Sequence, residues 1–248
     1  IFLIMSYLLN KKNQRIAYKR IAGKSPGLVF IHGLNSDMNG LKAIRVEKYA
    51  RKNKLAFIRF DCRGHGNSFG NFENFTISDW KKDLLDIIDN LTKGPQILIG
   101  SSMGGWLMIL AAKSRPKKIV GLMGLAAAID FGKDLFENLN TKNKKEIKQK
   151  GITRYTSSGF SYLLTNNFFV QAEKNKILEK SFKFKKPIIL LHGTKDGVVG
   201  INMPKKIMEV ASGDNVQVIY LKSSDHRLSS PSDLISIDNG INNIRALL

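Results

Sequence analysis

The segment Gln96-Ile97-Leu98-Ile99-Gly100-Ser101-Ser102-Met103-Gly104-Gly105-Trp106-Leu107 decides how this chain is read. Gln96 to Ile99 has the apolar run of a buried strand, and the residues from Met103 through Leu110 carry a helical pattern. Between them Gly100 to Gly104 spell G-x-S-x-G in a strand-turn-helix setting. A serine hydroxyl is a poor nucleophile until a sharp turn presents it at the C-terminal edge of a sheet, next to a base. Gly100 and Gly104 leave room for that strained turn. The helix start adds free backbone N–H groups. Ser102 is therefore the candidate nucleophile, and the N–H of Met103 the first candidate donor to an oxyanion.

Outward from this segment, short strand-like runs alternate with longer helical patterns. Residues 27–32, 55–60, 119–125, 188–191 and 216–220 read as further strands, apolar enough to be buried on both faces. Helical patterns occupy about 41–53, 76–92, 103–114, 201–212 and 231–247, with Thr76 or Ser78 as N-cap of the second and Pro116 helping to end the third. The alternation predicts an α/β fold with a mainly parallel sheet flanked by helices, and Arg15 to Ala22 adds an antiparallel edge strand. Between Asp130 and Lys185 the pattern breaks into a Lys/Asn-rich and then aromatic stretch. A loop of that length is uncommon in a compact domain, so the expectation is a small helical cap at 131–185 inserted into a core formed by 1–130 and 186–248.

A serine nucleophile needs a base and an acid that orients the base. Strand 188–191 runs into His192-Gly193-Thr194-Lys195-Asp196-Gly197, and strand 216–220 into Lys222-Ser223-Ser224-Asp225-His226-Arg227. Both loops leave the same edge of the sheet as Ser102. The order Ser, Asp, His assigns Asp196 as the orienting acid and His226 as general base. Asp225 competes for the acid role, but a sequence neighbour rarely reaches the far nitrogen of the same ring, and it suits a turn. Asp61 ends a strand and leads into the Gly-rich Arg63-Gly64-His65-Gly66-Asn67-Ser68, where it is expected to organise the loop. At His32-Gly33-Leu34 the glycine lets the backbone turn and offer the N–H of Leu34 as a second oxyanion donor. His32, His65 and His192 read as scaffolding, and Cys62, outside any G-x-C-x-G context, as a small buried residue.

Composition removes other classes. With one cysteine and no Cys/His cluster at ligand spacing, neither a disulfide framework nor a metal site is expected, and no cofactor is called for. Lys+Arg total 40 against Asp+Glu 20, a formal charge of +20. The cations are 30 Lys and 10 Arg beside 27 Ile and 20 Asn, a bias that AT-rich coding produces unaided. The densest run, Lys142 to Lys150, has no interleaved aromatics to stack on bases, so no nucleic acid is expected as partner, and a weak association with anionic surfaces is the residual reading. The apolar stretch Ile1 to Leu9 falls short of the roughly 18 residues a membrane span needs, and a signal peptide is weakly supported.

Together, the Ser102 segment, the His32-Gly33 turn, Asp61 to Ser68 and the Asp196 and His226 loops resemble the α/β-hydrolase superfamily. Gly100-Ser101-Ser102-Met103-Gly104-Gly105-Trp106-Leu107-Met108, Lys24-Ser25-Pro26-Gly27, Met38-Asn39-Gly40, Gly94 to Leu98 and Lys222 to Arg227 resemble more narrowly its mitochondrial palmitoyl-protein thioesterase and acyl-glucuronide esterase group. The resemblance implies hydrolysis of acyl thioesters on protein cysteines and of acyl glucuronides, without metal or organic cofactor, by Ser102, Asp196 and His226. Two alternatives stand beside it: a short-chain carboxylesterase of the same fold, and a basic, non-catalytic binder of anionic surfaces. Gly197-Val198-Val199-Gly200 departs from the family, whose members commonly carry an acidic residue and Pro there. Trp106, Phe160 and Phe168 are candidate walls of an acyl pocket; for Trp106 the competing role is core packing, one turn into a helix expected to be buried. The coding bias suggests a bacterial relative and a cytoplasmic home, with the mitochondrial matrix as alternative if an upstream transit peptide is missing.

Overall fold

Strand placement follows how continuously apolar each run is. The computed structural model describes residues 4–157 and 160–248, with only the backbone described at Ser157 and Phe160. In chain order the elements are β1 (Ser6–Leu9), β2 (Arg15–Ile21), β3 (Lys24–Ile31), α1 (Leu41–Lys52), β4 (Leu55–Phe60), α2 (Ile77–Leu91), β5 (Gln96–Ser101), α3 (Met103–Ser114) and β6 (Ile119–Leu125). They continue with α4 (Gly132–Glu137), α5 (Thr141–Lys150), β7 (Ile152–Ser157), β8 (Phe160–Thr165), α6 (Asn166–Lys174), β9 (Ile188–Gly193), α7 (Met203–Val210), β10 (Val216–Leu221) and α8 (Pro231–Ala246). Eight strands form one sheet in the order β1-β2-β4-β3-β5-β6-β9-β10. The pairs from β4 to β10 are parallel, while β1/β2 and β2/β4 are antiparallel.

Every residue of β5 and of β9 is buried, as their unbroken apolar runs require. Two strand expectations need correction. β2 is not the edge strand, because Ser6–Leu9 pairs along its outer side. β10 is an edge rather than a doubly buried strand: its burial alternates, and Gln217 and Tyr220 face water. On one face of the sheet α2 and α3 pack around Trp80 and Trp106; on the other α1 and α8 bury Val46, Tyr49, Ile237, Ile241 and Ile244. At the start of α2, Thr76 is the cap: its N–H and Oγ both donate to Asp79 Oδ2, while Ser78 lies inside the helix and donates to Gln171.

The 131–185 stretch is only partly helical. α4, α5 and α6 form there, but between α5 and α6 runs the antiparallel pair β7–β8. Gly151 stops α5 in the left-handed region at φ 73°, and the next residues, Ile152-Thr153-Arg154-Tyr155-Thr156, are β-branched or aromatic at four of five positions. Tyr155 and Tyr162 sit opposite each other and meet edge to face at 5.6 Å. Asp130, itself at φ 54°, accepts the N–H groups of Ile177 and Leu178, and Trp106 Nε1 donates to the Asn175 carbonyl at 3.0 Å. The insertion is thus pinned to the sheet-covering helices at its C-terminal root.

The buried Arg63 is paired. Arg63 Nε donates to Asp83 Oδ1 at 2.6 Å and its backbone N–H to Asp83 Oδ2 at 2.9 Å, with both side chains out of solvent. Asp83→Ala, which strands Arg63 without its carboxylate, is expected to cost about 3–5 kcal/mol of folding free energy. The shift in denaturant midpoint measures it; a loss under about 1 kcal/mol, the size of an exposed pair, would contradict the expectation.

Candidate active site

Ser102 occupies the turn from β5 to α3 at φ 52°, ψ −118°. A non-glycine residue there stores about 1–3 kcal/mol of strain, so its surroundings must over-determine it. They do. Ser102 N–H donates to the Leu125 carbonyl at 3.0 Å, and its own carbonyl accepts from Gly105 N at 2.8 Å and Ala128 N at 3.0 Å. The glycines allow the close approach: a Cβ on Gly104 would stand 2.3 Å from the Ile31 carbonyl oxygen, and one on Gly100 2.3 Å from that of Gly104. Gly33 lies against Ser102 from the β3–α1 turn, where a Cβ would come within 3.1 Å of the serine Cβ. Among the described residues the N–H groups of Leu34 and Met103 find no hydrogen-bond acceptor, leaving both available to a ligand.

Two loops bring the partners. His226 Nε2 lies 3.1 Å from Ser102 Oγ and its Nδ1 2.8 Å from Asp196 Oδ2. A carboxylate only accepts, so in the neutral ring Nδ1 carries the proton and Nε2 is free to accept from the serine hydroxyl. Asp196 Oδ1 accepts the N–H groups of Val198 and Val199 at 2.9 and 2.8 Å. Burial pushes the Asp196 carboxyl up, but the His226 bond and the Val199 and Val198 amides together outweigh it and hold it below the ordinary carboxylate range. The arrangement can deprotonate a serine as it attacks and stabilise the imidazolium that results.

The remaining polar residues scaffold this geometry. His32 Nδ1 donates to the Gly33 carbonyl at 2.7 Å and its Nε2 accepts from Cys62 N at 3.0 Å, which fixes the turn beside Ser102. Asp61, fully buried, accepts from Met38 N and Asn67 N and so organises the loop as expected. His65 sits among His32, Phe72 and Trp80, where burial first and His32 second push it down to about 3. Cys62 is buried, and burial raises its thiol far from the reactive range. Asp225 serves the turn: its Oδ1 accepts from Arg227 N at 2.9 Å.

A cavity of about 890 Å³ opens over Ser102 and His226. The Leu34, Phe131, Leu135, Tyr155 and Tyr162 side chains line it under the insertion. Trp106 and Phe168 do not. Both are buried behind Phe131, which meets Trp106 at 5.4 Å and Phe168 at 6.3 Å between ring centres. At Phe168 the expected pocket wall is corrected to core packing, and at Trp106 core packing, the role preferred there, is the one found, since the helices carrying them turn these faces inward. The Phe160 side chain lies outside the described residues.

Two neighbours had no local sequence signal as site residues. His192, read as scaffolding, backs Asp196: its Nε2 lies 3.1 Å from the Val199 carbonyl and 3.7 Å from Asp196 Oδ2, fixing the loop that holds the acid. Lys42, from the first turn of α1, donates Nζ to the Arg227 carbonyl at 2.5 Å, one residue past His226. Burial pushes Lys42 down to about 8 against the pull of Asp225, Asp196 and Asp233. The Lys42 contact joins residues far apart in the chain, whereas those of His192 lie within its own loop. Among the described residues no group of His, Cys, Asp or Glu is arranged to hold a metal ion, and no helix is long and apolar enough to cross a membrane.

The chain is similar to known hydrolases. Residues 25–159 match the family model Hydrolase_4, described as serine aminopeptidase, S33. The bovine (Bos taurus) protein named palmitoyl-protein thioesterase ABHD10, mitochondrial, is 42% identical over 234 residues, spanning 93% of this chain and 76% of that one. The solved structure of mouse α/β hydrolase domain-containing protein 10 superposes with a TM-score of 0.91 at 37% identity, covering 98% of each chain. A putative hydrolase from Agrobacterium vitis gives 0.92 at 27% identity, covering 98% of this chain and 99% of that one.

The Asp196 carboxyl is expected to leave a trace in acid stability. A carboxyl held low in the fold adds stability that is present above its unfolded value of about 4 and lost as pH falls through the lower folded value. Denaturant midpoints measured from about pH 6 down to about pH 2 should therefore fall less steeply for Asp196→Asn than for the wild type. Parallel acid limbs would show that Asp196 is not held low.

Proposed function

The chain belongs to the Hydrolase_4 family of α/β-hydrolases and is an ester or thioester hydrolase, and from that premise we propose that it cleaves long-chain acyl thioesters on protein cysteines through Ser102, His226 and Asp196. The observation that carries the reading is the unbroken chain of hydrogen bonds from Ser102 Oγ through His226 to Asp196 at 3.1 and 2.8 Å, under a cavity with an aromatic side. Ser102 Oγ attacks the acyl carbonyl while His226 Nε2 takes its proton. The N–H groups of Leu34 and Met103 hold the oxyanion. The tetrahedral intermediate collapses as His226 returns the proton to the departing thiol, leaving an acyl-enzyme. Water, deprotonated by the same imidazole, then attacks the ester and releases the fatty acid and Ser102. Asp196 holds the ring in the Nδ1–H tautomer and stabilises its charged form throughout.

An oxygen ester such as an acyl glucuronide passes through the same steps, with an alcohol leaving. Lys42 and Arg227 at the cavity mouth favour a leaving group that bears a carboxylate. No metal or organic cofactor enters any step. A chain whose one cysteine is buried suits a reducing compartment, either the cytoplasm expected from composition or the mitochondrial matrix indicated by the bovine relative's name.

Turnover of acyl thioesters and p-nitrophenyl esters of increasing chain length tests the reading. Activity should rise toward long chains, which a short-chain carboxylesterase would not show. Ser102→Ala should lose about 10⁴–10⁶-fold in kcat and Asp196→Asn about 10⁴-fold, with KM little changed. Undiminished turnover by Ser102→Ala would remove the proposed nucleophile.

A further inference from the structure

The rim of the cavity carries side chains that acyl transfer does not need. Leu41, at the start of α1, and Val198, between β9 and α7, line the mouth while 64% and 65% exposed, and Ile201, three residues on, is 45% exposed. Large apolar side chains held out at the entrance to a cavity with an aromatic side mark a surface that is covered during function. Exposed cations stand beside them, Lys195 before Val198 and Lys222 and Arg227 on either side of His226, while the exposed acids of the cavity lining are Asp225 and, on the insertion, Asp134.

These residues lie on one surface because their loops are bonded together. Lys195 N donates to the Ser224 carbonyl and Thr194 N to that of Leu221. Ser223 N donates to Thr194 Oγ1, and Tyr220 Oη reaches the Ile201 carbonyl at 3.2 Å. Lys42 ties the start of α1, and so Leu41, to Arg227. All three loops leave the edge of the sheet on which Ser102 sits.

We propose that this rim docks on an anionic lipid bilayer, with Leu41, Val198 and Ile201 entering the acyl boundary and Lys195, Lys222 and Arg227 facing lipid headgroups. Apolar tips set among cations are the pattern of a peripheral membrane contact, and negative surface charge complements the rim. The three tips stand on two separate segments, Leu41 at the start of α1 and Val198 and Ile201 on the β9–α7 loop, which suits a fluid surface better than a folded partner. Docking turns the cavity mouth toward the phase in which acyl chains reside. That purpose rests on the proposed acyl chemistry; the docking itself rests on exposure and charge.

Co-sedimentation of the full chain with phosphatidylcholine vesicles, with and without phosphatidylglycerol, tests the contact separately from turnover. Binding should require the anionic lipid, weaken with salt, and fall about tenfold or more in Ile201→Ser/Lys195→Glu, which should still hydrolyse a water-soluble short ester at the wild-type rate. A matched variant on α5, Lys145→Glu/Lys148→Glu, should keep most of the binding. The proposal is overturned by absence of binding to anionic vesicles at low salt, by unaltered binding of the rim variant, or by equal loss in the α5 variant, which would assign the effect to net charge. Labelling of Ser102 by a fluorophosphonate, scored in the same samples, shows whether the catalytic reading stands whatever the vesicles report.

Discussion

The left-handed turn at Ser102 is the constraint around which the molecule is arranged. It costs about 1–3 kcal/mol, and it persists because Leu125 of β6 accepts its N–H while Gly105 of α3 and Ala128, just past β6, donate to its carbonyl. Glycine at 100, 104 and 105 follows from the same need, since at each position a side chain would collide with neighbouring backbone or, at 105, with Ala127. Those contacts require β3 and β6 on either side of β5, which is the middle of the sheet. The strained serine and the strand order are thus one structural problem.

Once Ser102 is placed, the other groups arrive from neighbouring strands at the same edge. The β3–α1 turn brings Gly33 against the serine and leaves the Leu34 N–H unengaged, with His32 and Asp61 bracing it from behind. β9 delivers Asp196 and β10 delivers His226, with His192 and Lys42 tying those loops down. The Ser102 backbone and the Asp196 carboxylate are each held by hydrogen bonds outside the reacting chain. Such support keeps reacting groups within the narrow tolerance that catalysis demands. The overall charge of +20 plays no part in it. Charge matters instead in two local ways, as buried pairs such as Arg63–Asp83 and as the cations set around the cavity rim.

Much of this was legible because the local rules agreed with the global fold. G-x-S-x-G between an apolar run and a helical pattern leaves few alternatives, and Asp196 and His226 each follow an apolar strand directly. The insertion was less readable. A Lys/Asn-rich stretch is compatible with helix, and α5 is one, yet Gly151 and the Tyr155/Tyr162 pairing turned the next residues into a hairpin. Burial at β10 was misread for a related reason: an apolar run carries no mark of whether a further strand will pair beside it. Phe168 was misplaced as a wall because aromatic character does not say which way a helix will face, whereas Trp106 packs in the core as its place one turn into a buried helix suggests.

By itself the sequence determined the fold class and singled out the candidate serine, acid and base, because period, glycine placement and chain order are one-dimensional properties. Only the tertiary structure decided what encloses them. Phe131, Tyr155 and Tyr162 became the cavity wall, His192 and Lys42 became braces, and Leu41, Val198 and Ile201 became an exposed rim. The Lys42 brace joins residues 185 positions apart, and the cavity and its rim form where the sheet and the insertion bring separate segments together. No local pattern carries such a contact, because it forms only when the sheet brings its loops to one edge.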